Sequence, residues 1–227
     1  MPAAMNVILF GATGMVGQGV LRECLLDPGV GRVLAIGRGA SGKADPKLRD
    51  LVLKDLTDYA AVADELAGYD ACFFCLGIAS AGMSEADYRK ITVDIAVAAA
   101  RVLVDRNPQM TFVYVSGAGS DSTGKSRTMW ARVKGEGENA ILAMPFKGKF
   151  VFRPAFIRPL HGITSRTVSY RVLYAIMRPF VPVISALFPR HVTTTERVGR
   201  AMLAVARSGH PKAILENADI DAAGALT

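Results

Sequence analysis

A short apolar run, Asn6 to Phe10, enters the turn Gly11-Ala12-Thr13-Gly14-Met15-Val16-Gly17, and a helical pattern from Met15 to Asp27 leaves it. A strand, a glycine-spaced turn and a helix in immediate succession commit the chain to a βα unit from its first residues. The pattern then repeats. Arg32 to Gly37, Asp50 to Lys54, Ala71 to Leu76, Thr111 to Ser116 and Lys149 to Arg153 read as strands. Tyr59 to Leu66, Ser84 to Arg106 and Thr128 to Ala143 read as helices between them. Ser84 and Asp87 form a capping box that opens the long helix. The strands are continuous apolar runs, as a sheet covered on both faces requires. Alternating strands and helices imply a doubly wound parallel sheet with right-handed crossovers.

The spacing of the turn is G-x-x-G-x-x-G. Gly11 permits the tight bend, Gly14 lets backbone approach a pyrophosphate, and Gly17 lets the helix pack close to the strand. The helix start at Met15 and Val16 then offers free N–H groups and a positive dipole end to an anion. A Rossmann-type α/β domain that binds a dinucleotide is therefore expected. In NAD-binding versions a carboxylate stands about 20 residues beyond the glycines. Here the second strand ends Ala35-Ile36-Gly37-Arg38, with Arg32 and Lys43 close in sequence. A guanidinium pairs with a 2′-phosphate that a carboxylate would repel, which favours NADP, with NAD as the alternative.

After Arg153 the pattern changes, punctuated by Pro154, Pro159, Pro179, Pro182 and Pro189. A helix opened by Thr193-x-x-Glu196 runs to about Arg207, and Ala213 to Leu215 is a last strand. The reading is one domain over 1–227, with its core at about 5–153 and a small C-terminal lid at about 154–227. With 51% hydrophobic and 21% charged residues, the chain can bury a sizeable core and is not a disordered one. The net charge of +7 admits nucleic acid, an acidic membrane surface or an anionic small molecule. No nucleic-acid motif accompanies the arginines of the C-terminal third. The apolar stretch Val168 to Pro189 carries Arg171 and Arg178. It is read as a wall of a greasy substrate pocket in preference to a membrane-surface segment. Three cysteines do not make a disulfide scaffold, and neither a leader nor a membrane span is legible, so a soluble, cytoplasmic protein is expected.

These residues resemble the short-chain dehydrogenase/reductase superfamily, and most of all its atypical, epimerase-like members with a GATGxVG turn, including the Tat-interacting oxidoreductase-like branch. The resemblance runs from Asn6 to about Arg207. It implies that Asp55 and Leu56, in Lys54-Asp55-Leu56, lie beside the adenine. By the same resemblance Cys75-Leu76-Gly77 runs past the cofactor ribose, Ser116 in Ser116-Gly117-Ala118 is the catalytic serine, and Arg153-Pro154 is a turn near the nicotinamide. The family's Tyr-x-x-x-Lys reads Trp130-Ala131-Arg132-Val133-Lys134 here, followed by Gly-Glu-Gly-Glu. Lys134 keeps the ribose and charge roles. Trp130 does not keep the tyrosine's proton role, because an indole N–H donates a hydrogen bond without titrating usefully; it would stack on the substrate or wall it off.

Three outcomes of that exchange stay open: another proton donor, chemistry that needs little acid catalysis, or cofactor binding alone. Tyr170, Tyr174 and His161 are candidate donors, each more ordinarily a packing or surface residue. The expectation is an NADP-dependent oxidoreductase or epimerase-like enzyme with a small-molecule substrate, monomeric or homodimeric. The rival is a non-catalytic NADP(H)-binding regulator. Cys72 and Cys75 have C-x-x-C spacing, but strand alternation sends them to opposite faces. His161, His191 and His210 have no metal spacing, and no metal is expected.

Overall fold

The computed structural model describes residues 4–164 and 189–225. In chain order they form β1 (Met5–Phe10), α1 (Met15–Leu26), β2 (Val30–Gly37), β3 (Leu48–Val52), a 3₁₀ segment (Ala60–Leu66) and β4 (Ala71–Phe74). Next come α2 (Glu85–Arg89), a π turn (Lys90–Asp94), α3 (Ile95–Arg106), β5 (Thr111–Val115), α4 (Met129–Leu142), β6 (Gly148–Arg153) and β7 (Phe156–Arg158). A short 3₁₀ turn (Pro189–His191), β8 (Val192–Thr194), α5 (Thr195–Ser208), β9 (Ile214–Glu216) and α6 (Asn217–Ala223) follow.

Seven strands form one parallel sheet in the order β3-β2-β1-β4-β5-β6-β9. The order reverses between β1 and β4, so the topological switch point lies there, where such sheets open a ligand crevice. Register sets what lines the crevice. Phe10 pairs with Ile36 and Phe74, Phe74 with Tyr114, and Val115 with Phe152. Gly11, Cys75 and Ser116 therefore leave the sheet at one carboxyl edge.

Strand alternation divides the core in two. Val7, Leu9, Phe73, Val113 and Phe152 face α1 and α5. Ile8, Phe10, Phe74, Phe112 and Tyr114 face α3 and the end of α4. Cys72 lies in the second layer and Cys75 against the first, as alternation requires, and both thiols are free.

Several boundaries differ from the sequence reading. β3 begins two residues before the expected Asp50, because this edge strand is only partly buried and its sequence is not an apolar run. Tyr59 to Leu66 winds as a 3₁₀ segment from Ala60. The helix opened by Ser84 is continuous to Arg106 but widens into a π turn at Lys90–Asp94; the Ser84 hydroxyl accepts the Asp87 N–H at 3.1 Å. The cap of α5 is Thr194, whose hydroxyl accepts the Arg197 N–H at 3.1 Å, while Thr193 belongs to β8.

The largest correction concerns the lid. α5 packs directly on α1: a Cβ on Gly19 would fall 2.6 Å from Thr195 Cβ, and one on Gly199 2.7 Å from Glu23 Cγ. β9 extends the sheet beside β6. Residues 195–223 therefore complete the core, which does not stop near 153. Tyr170, Tyr174 and residues 168–188 lie outside the described residues. No helix among the described residues is long and apolar enough to cross a membrane, and none of these residues cluster as metal ligands.

Candidate active site at the carboxyl edge of the sheet

The glycine turn is built by backbone. Gly11 has φ +78°, and a Cβ there would lie 2.8 Å from the Cys75 carbonyl and the Leu76 nitrogen. A Cβ on Gly17 would lie 2.0 Å from the Gly11 carbonyl oxygen. Only glycine allows β1, α1 and the end of β4 to meet this closely. Gly14 is the N-cap of α1, and no side chain caps it. Its own N–H donates to the Gly11 oxygen at 2.9 Å. The first-turn N–H groups of Met15, Val16 and Gly17 have no intrahelical acceptor, and no acidic residue occupies that turn. The Thr13 carbonyl accepts from the Gln18 amide at 3.1 Å, and the same amide reaches the Thr164 carbonyl at 3.3 Å. This cradle suits phosphate oxygens and fits a dinucleotide.

At the adenosine end, Arg38 follows β2, is exposed, and has no ion pair among the described residues. Arg32 sits at the opposite end of β2, where its guanidinium donates to the Gly68 carbonyl at 2.9 Å and lies 4.4 Å from the Tyr69 ring centre. It takes no part in this site, and Lys43 is exposed on the loop that Ser41 ties to Asp50. Asp55 is exposed; its Oδ1 accepts from the Thr57 hydroxyl at 2.6 Å and the Thr57 N–H at 2.8 Å, which lowers its pKa. The Leu56 side chain is 3% exposed and belongs to the core, so only its backbone can face a ligand.

The other end is built by side chains on α4. Lys134 is 9% exposed. Its Nζ donates to the Val115 carbonyl at 3.3 Å, lies 5.5 Å from the Tyr114 ring centre, and would lie 3.9 Å from a Cβ on Gly77. Burial pushes the Lys134 pKa down to about 8, with the Glu138 carboxylate partly opposing. Ser116 is buried beside it, its hydroxyl 2.9 Å from that of Ser120. The loop after β5 is pinned by the Ala118 N–H donating to the Pro154 carbonyl at 2.9 Å. Trp130, one turn before Lys134, packs against a small cluster of Tyr88, Val93 and Val133, and its Cη2 would lie 3.5 Å from a Cβ on Gly119. The structure thus brings Gly77, Ser116, Trp130 and Lys134 to one place. His161 is tied to Glu196 of α5, its Nε2 2.6 Å from the carboxylate.

Arg153 is placed differently from the expectation that it contacts cofactor. Its Nε donates to Glu138 Oε1 at 2.9 Å, and its Nη2 to Glu138 Oε2 at 2.5 Å and the Ser122 hydroxyl at 2.7 Å. Nη1 reaches Glu216 at 3.2 Å. The guanidinium is spent inside the protein because Glu138 has 0% exposure and needs a cation. Burial alone would raise the Glu138 pKa. The hydrogen bonds from Arg153, Ser116 and Ser122 and the Arg153 charge together outweigh it, and the net shift is downward. Glu138 was not singled out from the sequence. The signal was its i+4 spacing from Lys134 and the two helix-weakening glycines, Gly135 and Gly137, just before it. A Cβ on Gly135 would lie 1.9 Å from the Asp121 carbonyl oxygen, and one on Gly137 2.8 Å from the Tyr114 hydroxyl.

Known proteins of like sequence and shape agree with this fold. Residues 7–131 match the NAD dependent epimerase/dehydratase family. The protein named "Protein fmp52, mitochondrial" of Emericella nidulans is 32% identical over 159 residues, which are 67% of this chain and 66% of that one. Among solved structures, the Bordetella bronchiseptica enzyme WbmF in complex with NAD+ superposes with a TM-score of 0.70 at 17% identity, covering 97% of this chain and 77% of that one. A short chain dehydrogenase family protein of Francisella tularensis gives 0.68 at 15% identity, covering 96% and 99%. At these identities the structural likeness establishes the fold alone. The relatives' names correct the expected cytoplasmic location, since curated relatives from several fungi are named mitochondrial proteins. Cysteine usage and run lengths do not tell one reducing compartment from another. With the glycine turn, the strand order and the sequence match in agreement, the chain belongs to the NAD dependent epimerase/dehydratase family.

Proposed function

We propose that the chain is an NADP(H)-dependent oxidoreductase or epimerase-like enzyme acting on a small carbonyl compound. The observation that carries this reading is the convergence of Lys134, Ser116 and Gly77 at the switch point, beside an uncapped helix start. Met15, Val16 and Gly17 would hold the pyrophosphate through their N–H groups, and Arg38 would pair with a 2′-phosphate. Asp55 and the Leu56 backbone would border the adenine, Cys75 and Leu76 the ribose, and Lys134 would donate to ribose hydroxyls. When bound, the dinucleotide supplies or accepts hydride. Ser116 would orient the reacting oxygen, and Trp130 with Ile78, which is 44% exposed, would give the substrate an apolar wall.

Nicotinamide absorbance, followed with NADPH and a panel of carbonyls and quinones, tests the reading. Turnover of at least one compound is expected. Arg38→Ala is expected to weaken NADPH roughly tenfold more than NADH, the loss of one charge-assisted contact; equal losses would refute the NADP preference. The second reading is an NADP(H)-binding regulator without turnover. Trp130, half-buried against an apolar cluster where the family places its tyrosine, supports it. Tight NADPH binding with silence across the panel would select this reading.

A further inference from the structure

We propose that Lys134 is itself the acid–base group of this site, protonating the substrate oxygen on reduction and taking the proton back on oxidation. The inference rests on the oxidoreductase reading above, and it assigns the step that the exchange of tyrosine for Trp130 leaves without an owner.

The other candidates at this edge are occupied or cannot trade a proton near neutrality. The Trp130 N–H does not titrate usefully. The Tyr114 hydroxyl donates to the Thr92 carbonyl at 3.2 Å, and burial pushes its pKa up. Glu138 is held as an acceptor by Arg153 and Ser122. Asp121 is bonded by Thr123 and Ser126, which lower its pKa to about 2. Burial raises the Cys75 thiol, and Ser116 is bonded to Ser120. His161 is paired with Glu196 on α5, in the layer opposite α4.

Lys134 differs in geometry. An ammonium has three N–H bonds. Among the described residues one hydrogen bond is made, to the Val115 carbonyl. Gly77 is exposed and places no side chain over the nitrogen, which would be 3.9 Å from a Cβ there. The remaining N–H bonds are available at the open edge of the crevice. Burial sets the proton affinity close to neutrality, the range in which an acid–base group is most effective. The groups facing it are Glu138 on its own helix and Tyr114 from β5. Arg153 of β6 is spent on Glu138, and Tyr88 of α2 lies behind Tyr114. Only Glu138 acts on Lys134 as a charge, and it partly restores the ammonium.

The step balances. On reduction the carbonyl carbon gains hydride from the reduced dinucleotide and the C=O π pair moves to oxygen. A Lys134 N–H bond breaks as the O–H bond forms, and the neutral amine regains its proton from water. The ammonium is needed for reduction, so that rate falls as pH rises through about 8. The neutral amine is needed for oxidation, so that rate rises through the same point.

Lys134→Arg separates proton transfer from charge and hydrogen bonding, because arginine keeps both but does not release its proton. The variant is expected to bind NADPH within roughly threefold of wild type while kcat for reduction falls about 100-fold or more and the pH break near 8 disappears. The native amine can also be titrated directly by nitrogen NMR of the ¹⁵N-lysine protein with NADPH bound, which needs no variant; a midpoint near 8 is expected. A midpoint above about 10, the ordinary lysine range, overturns the inference. So does a Lys134→Arg enzyme that keeps its rate and pH break while the wild type turns over. Absence of turnover in the wild type refutes the oxidoreductase reading and takes this inference with it.

Discussion

At the glycine turn, the groups that face a ligand are backbone N–H bonds, exposed because Gly14 caps α1 without a side chain. On α4 the candidate groups are the side chains of Trp130 and Lys134; Lys134 is bonded to β5, and the buried Glu138 one turn on is bonded to β6 and the loop between β5 and α4. The first region needs little beyond its own glycines and the end of β4. The second is a buried polar network in which each member is positioned by another, so it carries more of the protein's stability and more of its chemical individuality.

Breaking each region in turn measures that difference. Arg153→Leu should cost most. It leaves the fully buried Glu138 carboxylate without its cation, a loss of about 3–5 kcal/mol. Urea unfolding checks it, and a loss under about 1 kcal/mol would show that the pair does not hold α4 in place. Gly17→Ala should come next. The new Cβ would meet the Gly11 carbonyl oxygen at 2.0 Å, and relief by moving the helix start costs about 3 kcal/mol, the upper part of the overpacking range. It should also abolish dinucleotide binding in the fraction that folds, as read by calorimetry. Thr194→Ala touches neither region. Loss of its hydroxyl bond to the Arg197 N–H should lower stability by about 1 kcal/mol with cofactor affinity unchanged. A cap effect as large as either of the others would erase the contrast.

The backbone-built region was legible from residues alone. Glycine spacing, an adjoining apolar run and a helical pattern are local features, and local sterics fix their outcome. The resemblance set Cys75, Gly77 and Ser116 at strand ends near the cofactor, and β4 and β5 do carry them to one edge. Arg153 shows the limit: its place at the end of β6 was right, but a position along the chain does not say which way a guanidinium is spent. Glu138 was missed because a Glu on a helix is usually a solvated residue. Its burial follows only when β6 and the post-β5 loop close over it. The C-terminal boundary failed in the same way. Nothing local says that Gly199 faces Glu23 or that Ile214 pairs with Val151.

The sequence by itself determined the doubly wound sheet, the glycine cradle and the helical spacing of Trp130 and Lys134. All of these follow from periodicity and backbone sterics within short windows. The tertiary structure alone decided that Lys134 is buried beside an open glycine, that Arg153 serves Glu138, and that α5 and β9 complete the core. Burial and charge pairing depend on which distant segments meet, and a side chain's proton affinity is set by that meeting.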